Sequence, residues 1–495
     1  MTEPTIKTRG LPLDAIVIGL FATLIPFLFA SSPKIFADGD VSWHVASGRW
    51  ILDHGAVPAT DPFSFSVPGR AWVPQEWLAD VLSAQVMQAF GNAGLAMLVA
   101  LSLALLFLIV GLEVRRWASP VQTALTLLLL SVLLMPFTLA RPHVYAWPIL
   151  AAWIVLLLRA REARRSPPWW MVPIMILWAN FHASYAIGLA FAAFFGLEAL
   201  LEEPDKKRVL IRWGLFGAAL LGAALLTPHG VEGLLYPFAV MRMTSLPLIG
   251  EWRPSSIGPT PFFGLTLLAM IAALAWRGTR VPALRLMLLL GLLALALKQM
   301  RQQPVWGIGT ALLLAGPIAA SFGGGEEREG FWRQVGVKRT GPAWAIVAAL
   351  IALMAVARAV LPIERPQSAT DPTAAIAHVP PTLRRQPVLN DYSFGGPMIA
   401  AGIRPFIDGR ADMYGDDFAK EFYAVNSGDP AGLARLTKRY RFAWAMTSAT
   451  NVELLRLLDR TPGWRRIYVD KVAVIHARDT GIGPPVPPLV PSNGR

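Results

Sequence analysis

Two carboxylates and a histidine stand close together in the segment ADGDVSWH, residues 37–44. A carboxylate can take the proton from an attacking hydroxyl group, and the pair Asp38 and Asp40 can hold a divalent cation such as Mg²⁺ or Mn²⁺. Helix capping is the structural alternative, because aspartate is a favoured capping residue for a helix that begins near Val41. Together with His44, these residue types indicate proton-transfer or cation chemistry, or a capped helix.

The segment directly follows an apolar run that starts near Leu11. The whole chain of 495 residues is 54% hydrophobic and 16% charged, with a mean hydropathy of +0.48. This apolar fraction exceeds that of soluble domains and indicates a membrane protein. The absence of cysteine excludes disulfides and thiolate metal sites.

Residues 37–44 follow the first of many predicted membrane helices, so they are expected at the membrane surface. A bilayer core of about 30 Å needs roughly 20 apolar residues per helix, which predicts about eleven spans. The predicted spans are 11–30, 93–112, 121–139, 144–159, 168–180, 184–201, 209–226, 260–276, 281–297, 304–321 and 342–362. Val41 to His54 and residues 75–90 have the mixed composition of helices that lie on the membrane surface.

The basic residues predict which side of the membrane each loop occupies. With the spans above, the clusters at Lys7 and Arg9, Arg115 and Arg116, Arg159 to Arg165, Lys206 to Arg212, Arg277 and Arg280, and Arg328 to Arg339 share one side. By the positive-inside rule this side is the cytoplasm. The net charge of +13 is therefore interpreted as a topology signal, and no nucleic-acid partner is expected. We expect a multi-pass protein of the bacterial inner (cytoplasmic) membrane with a cytoplasmic N-terminus.

The sequence divides into a membrane domain, residues 1–362, and a soluble domain, residues 363–480. The membrane domain includes a large first outer loop at 31–92. The predicted strands of the soluble domain are 387–391, 403–408, 442–447, 465–469 and 472–476, and its predicted helices are 416–426, 430–439 and 451–459. This pattern indicates a small extracytoplasmic α/β domain. The Pro-rich tail at 481–495 should be disordered.

With this topology, the unusual polar residues collect at the outer face. They are Asp38, Asp40, His44, Asp61, Glu76, Arg141, His143, Asn180, His182, Glu251, Lys298 and Arg301. Ionisable groups gathered at one membrane face indicate a functional site. For single residues the structural alternatives stay open, namely interfacial histidines with satisfied hydrogen bonds and arginines that anchor at lipid headgroups.

Acids and arginines at the membrane surface suit the transfer of a group from a lipid phosphate. A carboxylate takes the proton of the acceptor, and arginine binds the phosphate with paired hydrogen bonds. The acceptor enters from water while the isoprenoid tail of the donor stays among the membrane lipids. No Gly-rich loop of the P-loop kind is visible.

This layout resembles the GT-C superfamily of integral-membrane glycosyltransferases, which use polyprenyl-phosphate-linked sugars. The resemblance rests on Asp38-Gly39-Asp40 after the first helix, which is similar to the acidic motif of the superfamily, and on the many spans and outer C-terminal domain. It implies Asp40 or Asp38 as the catalytic base or as a ligand of a divalent cation, and Arg301 or Arg141 as a contact of the donor phosphate. By their position at the outer face, Glu76 and His44 are further candidates for the catalytic group, and His143 and Lys298 for the phosphate contact.

The chain is also similar to a set of uncharacterised bacterial membrane proteins. The shared residues are Trp43-His44, Asp61-Pro62-Phe63-Ser64, Glu76-Trp77, Arg141-Pro142-His143, Trp178-Ala179-Asn180-Phe181-His182, Glu251-Trp252, Asn390-Asp391-Tyr392 and Phe406-Ile407-Asp408-Gly409-Arg410. Asp61, Asn180, His182, Glu251, Asp408 and Arg410 are therefore further site candidates. For Asp408 and Arg410, a salt bridge that holds a turn is the alternative to a role in covering the site.

The sequence favours a glycosyltransferase that moves a sugar to an extracytoplasmic lipid, glycan or protein acceptor. The chain lacks the WWDYG-type motif of oligosaccharyltransferases, which favours transfer of a single sugar. A non-catalytic scaffold or lipid-binding subunit of an envelope polysaccharide assembly system is the alternative. A transporter fits less well, because the predicted spans carry few charges near the bilayer midplane.

Overall fold

A computed structural model describes residues 13–258, 262–322, 341–365 and 370–479. The predicted tail at 481–495 and the basic residues Lys7, Arg9 and Arg328 to Arg339 lie outside these ranges. The helices of the membrane part are α1 (Leu13–Ser31), α2 (Asp40–His54), α3 (Trp77–Val114), α4 (Pro120–Leu134), α5 (Pro142–Glu162), α6 (Met171–Phe181), α7 (Tyr185–Glu202), α8 (Lys206–Ala224), α9 (Gly230–Met241), α10 (Phe263–Trp276), α11 (Ala283–Lys298), α12 (Gln303–Ser321) and α13 (Gly341–Val360).

The prediction of a multi-pass helical membrane protein is confirmed. Among the described residues, seven helical stretches are long and apolar enough to cross a membrane, and they lie in α1, α3, α4, α5, α7, α12 and α13. Each of the predicted spans coincides with a helix, but α6, α10 and α11 are shorter than a bilayer requires, and α8 is not among the seven stretches. Eleven crossings therefore stay a prediction. Leucines such as Leu24 and Leu128 are exposed, as expected of lipid-facing positions.

Two surface helices precede the second membrane-crossing stretch. α2 ends at Gly55, whose left-handed φ of 63° closes the helix. α3 combines the predicted surface helix with the following span, and the chain turns between them at Gly91, where φ is 59° and ψ is −148°. This conformation favours glycine. Between the predicted spans 209–226 and 260–276 lies a helix that the sequence did not predict, α9.

The charged residues divide between the two ends of the bundle. The end that contains residues 37–44 is called the site end. At the opposite end, Arg115 pairs with Asp14 at 2.7 Å, and Arg161 Nε lies 3.3 Å from Glu198 Oε2. The arginine-rich loops and residues 37–44 therefore lie at opposite ends, which is the arrangement that the sequence predicts. The end that faces the cytoplasm stays a prediction.

The C-terminal unit is a four-stranded sheet with helices packed around it. Its strands are β1 (Val388–Asn390), β2 (Trp444–Ser448), β3 (Trp464–Val469) and β4 (Ala473–Arg478), in the order β1-β2-β4-β3. Its helices are α14 (Thr373–Ala377), α15 (Pro381–Arg384), α16 (Gly395–Ala400), α17 (Ala411–Tyr414), α18 (Asp416–Asn426), α19 (Pro430–Tyr440) and α20 (Val452–Arg460). β1 runs parallel to β2, and the other pairs are antiparallel. The α/β character predicted for this region is confirmed.

The strand predicted at 403–408 is wrong. This segment is irregular, and the side chain of Asn390 forms hydrogen bonds that a neighbouring strand would otherwise make. Asn390 Oδ1 accepts from the backbone nitrogen of Phe406 at 2.7 Å, and Asn390 Nδ2 donates to the carbonyl of Ile407 at 2.7 Å. Ser66 of the first loop donates to the carbonyl of Phe406 at 2.6 Å. The segment is therefore held between β1 and the first loop.

The C-terminal unit and the first loop share one hydrophobic core. Trp43, Phe63 and Trp72 pack in the same cluster as Phe406 and Leu433. Aromatic side chains bury large apolar areas, so this cluster contributes strongly to docking. The C-terminal unit is therefore fixed over the site end of the bundle.

Candidate functional site

A cavity of about 1140 Å³ lies at the site end, between the helical bundle and the C-terminal unit. Its ionisable lining residues are Asp38, Asp40, Glu76, Asp80, Arg141, His143, His182, Glu251, Arg301, Arg410 and Asp412. Most of these residues come from the predicted set, so folding brings together groups from distant turns. We call this part of the cavity the polar chamber.

The remainder of the cavity is an apolar groove that continues between helices. It is lined by Ala146, Trp147 and Leu150 of α5, Ala186, Ile187, Ala190, Phe191 and Phe194 of α7, and Met287, Leu288, Gly291, Leu292 and Leu295 of α11. The stretch of α7 from Ala186 to Phe194 corresponds to roughly 12 Å along the helix axis at 1.5 Å per residue. The cavity therefore joins a charged compartment to an apolar groove inside the bundle.

Arg141 is the central cation of the polar chamber. It lies directly before α5, and Pro142 occupies the first helical position, where a proline needs no hydrogen-bond partner. Its Nη1 lies 2.7 Å from Asp38 Oδ2 and 3.1 Å from Glu251 Oε2, and its Nη2 lies 2.9 Å from Asp40 Oδ2. The Arg141 side chain is 9% exposed. Burial opposes the charge on Arg141, but the neighbouring carboxylates outweigh it and raise its pKa.

Asp40 begins α2, and its backbone nitrogen donates to Asp38 Oδ1 at 2.8 Å. Burial raises the pKa of Asp40 to about 7, with contributions from the negative charges of Asp38 and Glu251, while Arg141 opposes the shift. Near neutral pH this carboxyl group can therefore both accept and release a proton. A pKa near the working pH suits general-base catalysis.

The C-terminal unit approaches Asp40 closely through Gly409. A Cβ atom placed on Gly409 would lie 1.8 Å from Asp40 Oδ1 and 2.9 Å from Trp43 Nε1. Only a residue without a side chain fits between these groups. The aspartate of the first loop and the backbone of the last domain therefore form a common wall of the chamber.

Arg301 and Glu251 extend the charged network across the chamber. Glu251 Oε1 lies 3.0 Å from Arg301 Nη1, so this carboxylate bridges Arg301 and Arg141. The Arg301 guanidinium stacks on the ring of Trp252 at 4.1 Å from its centroid. Burial opposes the charge on Glu251, but the two arginines outweigh it and lower the pKa of Glu251 to about 2. Glu251 is therefore an anion at neutral pH.

A second charged cluster surrounds Glu76. His182 Nε2 lies 3.0 Å from Glu76 Oε1, and His44 Nε2 lies 3.6 Å from Glu76 Oε2. His182 Nδ1 accepts from the backbone nitrogen of Ser184, so the ring proton of neutral His182 is on the nitrogen that faces Glu76. Burial opposes the charge on Glu76, but His182 and His44 outweigh it and lower its pKa.

His44 lies beneath this cluster and is buried. Its Nδ1 lies 2.7 Å from Asp80 Oδ1, and its ring stacks on Trp43 at a centroid distance of 3.7 Å. Burial lowers the pKa of His44, but Asp80 and Glu76 outweigh it, so the net shift is upward. His44 does not line the cavity, but it contacts Glu76 and Asp80, which do.

Asp61 and Asp408 form ion pairs with Arg410 and do not line the chamber. Arg410 Nη1 lies 2.7 Å from Asp61 Oδ1, and Arg410 Nη2 lies 2.7 Å from Asp408 Oδ2. All three side chains are almost completely buried, and the Arg410 guanidinium lies 4.7 Å from the ring centroid of Trp72. The pair of Arg410 with Asp408 is the salt bridge that the structural alternative described, and the contact of Arg410 with Asp61 joins the first loop to the C-terminal unit.

Of the remaining candidates, Asn180 and Lys298 lie outside the chamber, whereas His143 lines it. Asn180 Oδ1 accepts from Trp77 Nε1 at 2.8 Å and its Nδ2 donates to the carbonyl of Leu226 at 2.8 Å, so this side chain joins helices. The Lys298 side chain is exposed and does not line the cavity. His143 lines the cavity, and its Nε2 lies 2.9 Å from the carbonyl of Phe137.

Several cavity residues were not predicted from the sequence. Tyr236 of α9 and Tyr423 of α18 line the chamber beside Asp412. Burial raises the pKa of Asp412 to about 6, while a hydrogen bond with Tyr236 opposes the shift. The spacing of these residues along the chain gives no signal of their proximity, because they meet only when the C-terminal unit docks.

Asp38 and Asp40 as arranged do not fit the divalent cation that the resemblance implies. The Arg141 guanidinium already lies within 2.9 Å of one oxygen of each aspartate. Within the described part of the chain, no group of three histidine, aspartate or glutamate side chains is placed to hold a metal ion. Arg141 therefore supplies the positive charge between the two acids.

The fold is similar to those of two solved membrane proteins. The archaeal oligosaccharyltransferase AglB from Archaeoglobus fulgidus, solved with an inhibitory peptide and a dolichol-phosphate, matches with a TM-score of 0.59 and 12% identity over 97% of this chain and 76% of that chain. ArnT from Cupriavidus metallidurans, bound to undecaprenyl phosphate, matches with a TM-score of 0.53 and 13% identity over 95% of this chain and 99% of that chain.

This chain shares the fold of these two proteins, which is the GT-C-like architecture expected from its sequence. The expectation drawn from the acidic motif and the arrangement of spans is thereby confirmed at the level of the fold. No protein-family model and no curated protein matches the sequence. The likeness is one of architecture, because an identity of 12 to 13% carries no residue roles.

Proposed function

We propose that this chain is a membrane glycosyltransferase that moves a sugar from a polyprenyl-phosphate donor to an acceptor on the extracytoplasmic side. The carrying observation is the continuity of the polar chamber with the apolar groove between α5, α7 and α11. A ligand with a charged head and a long hydrocarbon tail matches both parts. The structural neighbours solved with dolichol-phosphate and undecaprenyl phosphate support the same class of donor.

In this proposal the arginines hold the phosphate and Asp40 takes the proton. The acceptor hydroxyl loses its proton to the Asp40 carboxylate as its oxygen attacks the anomeric carbon of the sugar. The bond from that carbon to the phosphate oxygen breaks, and the leaving polyprenyl phosphate keeps the electron pair. Arg141 and Arg301 stabilise the charge that develops on the phosphate. No step requires an ion beyond these side chains.

The arrangement also suggests how water and acceptor are controlled. The C-terminal unit covers the chamber with Tyr392, Gly409 and Asp412. These residues face the aqueous side of the proposed reaction centre, where the acceptor would enter. Tyrosine and carboxylate side chains offer ring faces and hydrogen-bond acceptors, which suit a polyhydroxylated acceptor.

A transfer assay with the full-length protein in lipid nanodiscs tests this function. A panel of undecaprenyl-phosphate-linked sugars is supplied with envelope lipids and glycans, and the release of undecaprenyl phosphate is measured. Asp40→Asn should lower turnover by about 10²- to 10⁴-fold, the usual contribution of a general base. Asp53→Asn, an exposed position on the same helix, is the matched control and should keep wild-type turnover.

A scaffold or lipid-binding subunit is the second candidate, and one observation favours it. Arg141 pairs with both Asp38 and Asp40, so the acids have a partner without any substrate. In that case Asp40→Asn would change stability but not the phenotype of the cell. Wild-type turnover in the Asp40→Asn protein would refute the assignment of Asp40 as the general base. If the wild-type protein neither turned over nor bound any donor, the proposal of a glycosyltransferase would be refuted.

A further inference from the structure

The Glu251 carboxylate occupies a position that resembles a bound phosphate. Its two oxygens lie 3.1 Å from Arg141 Nη1 and 3.0 Å from Arg301 Nη1. Arginine recognises carboxylate and phosphate oxygens with the same N–H geometry. Two guanidinium groups that face one another across an anion therefore form a site for either group.

We propose that Glu251 is an internal substitute for the donor phosphate and that it leaves Arg141 and Arg301 when the donor binds. This inference rests on the proposed function, because it assumes that the two arginines receive the phosphate of a polyprenyl-phosphate donor. It adds that the unliganded site is kept neutral by a residue of the chain itself.

The charge balance of the chamber supports this exchange. Asp38, Asp40 and Glu251 surround Arg141 and Arg301, so the anions already match or exceed the cations. A phosphate added beside Glu251 would place a further negative charge in a largely buried site, where unpaired charge is costly. Departure of Glu251 restores the balance, so the carboxylate and the phosphate compete for the same cations.

The segment that carries Glu251 is fixed at both ends. Before it, Asp416 accepts hydrogen bonds from the backbone nitrogens of Thr244 and Ser245 at 3.0 and 2.9 Å. After it, the backbone nitrogen of Met300 donates to the carbonyl of Arg253 at 2.9 Å. Between these anchors, Glu251 lies in a single 3-10 turn, Gly250–Trp252. We therefore assign the departure to rotation of the Glu251 side chain and not to movement of its backbone.

Trp252 keeps one arginine in place during this exchange. Its ring lies under the Arg301 guanidinium at 4.1 Å, a contact that does not involve Glu251. Arg301 therefore retains a support when the carboxylate departs. The two neighbouring residues have separate tasks, since Glu251 balances charge and Trp252 orients the cation.

Binding of undecaprenyl phosphate to the full-length protein in nanodiscs tests the inference. Glu251→Gln keeps the shape of the side chain and removes its charge. We expect its dissociation constant to fall by at least about fivefold, the low end of ordinary coupling between two ligands. Glu232→Gln, an exposed carboxylate on α9, is the matched control and should bind like the wild type.

The possible results distinguish failure of the substitute role of Glu251 from failure of the proposed function. An unchanged or weaker affinity in Glu251→Gln would overturn the substitute role and leave the donor class intact. Equal binding of undecaprenyl phosphate and uncharged undecaprenol by both proteins would refute the proposed function as well. If the variant does not fold, an experimental structure of the wild type with undecaprenyl phosphate decides. Glu251 should then lie beyond hydrogen-bond distance of both arginines, and a retained bridge would refute the inference.

Discussion

At the residue scale, the polar chamber contains a network in which one arginine pairs with several carboxylates. Arg141 alone contacts Asp38, Asp40 and Glu251. Removal of one carboxylate therefore changes the environment of the others. This coupling makes the pH dependence of the proposed reaction a sensitive test of the network.

The pH profile of sugar transfer should rise through neutral pH. Burial first, and then the charges of Asp38 and Glu251, raise the pKa of Asp40 to about 7, and only the deprotonated carboxylate accepts a proton. The rate should therefore be low at acidic pH, rise through about pH 7 and then level off. The measurement is kcat/KM against pH, which reports groups of the free enzyme.

The variant Asp38→Asn tests whether the acidic limb of this profile reports the pKa of Asp40. It removes a negative charge that raises the pKa of Asp40, so the acidic limb should move to lower pH. Asp53→Asn on the exposed part of α2 should leave the limb in place. A limb that moves to higher pH in Asp38→Asn would contradict the assignment of the titration to Asp40.

At the element scale, α7 and α11 both line the apolar groove. Their lining residues are leucine, isoleucine, methionine, phenylalanine and small residues. The sequence predicts both helices, since their apolar segments are long. It does not predict that they stay apart, because lipid-facing and groove-facing apolar residues look alike in a sequence.

Filling the groove should block the donor without unfolding the protein. A Cβ on Gly291 of α11 meets nothing within 4 Å, and this residue lines the cavity. Gly291→Phe should therefore lower undecaprenyl phosphate binding by about tenfold or more, equal to at least about 1.4 kcal/mol. The thermal midpoint should not fall, because glycine within a helix is itself unfavourable.

The control for this variant is another open glycine. Gly214 of α8 also has nothing within 4 Å of an added Cβ, but it does not line the cavity. Gly214→Phe should bind undecaprenyl phosphate like the wild type. Equal loss in both variants would indicate a general disturbance of the bundle instead of a blocked groove.

At the scale of the whole molecule, a buried ion cluster holds the C-terminal unit on the first loop. Arg410→Ala would leave Asp61 and Asp408 buried without their cation. Loss of one partner from a buried pair costs about 3–5 kcal/mol. We expect a clear fall in thermal stability, measured by unfolding in detergent. Arg465→Ala, which removes an exposed ion pair with Asp479, should change little.

The proposed sidedness can be tested with single cysteines, because the natural chain contains none. Thr450→Cys, exposed in the C-terminal unit, should react with an impermeant thiol reagent in intact spheroplasts. Ala163→Cys, exposed in an arginine-rich loop, should react only after permeabilisation. The reverse pattern would place the chamber in the cytoplasm and contradict the positive-inside assignment.

The amino-acid sequence alone predicts the membrane class, most of the helical segments and most of the ionisable residues of the chamber. The length of an apolar segment indicates where a helix spans the membrane. Ionisable residues are rare in such a chain, so the turns that contain them are candidates for a functional site. The strand predicted at 403–408 failed because a side chain of β1, Asn390, takes the backbone hydrogen bonds of that segment.

Which of those charges act together follows from the tertiary structure alone. There Arg410 pairs with Asp61 in the contact between the first loop and the C-terminal unit, Asn180 lies between helices, and Lys298 lies outside the cavity. These distinctions depend on which distant segments touch, and composition and spacing along the chain do not encode such contacts. The same holds for Glu251, whose two arginine partners lie 110 and 50 residues away.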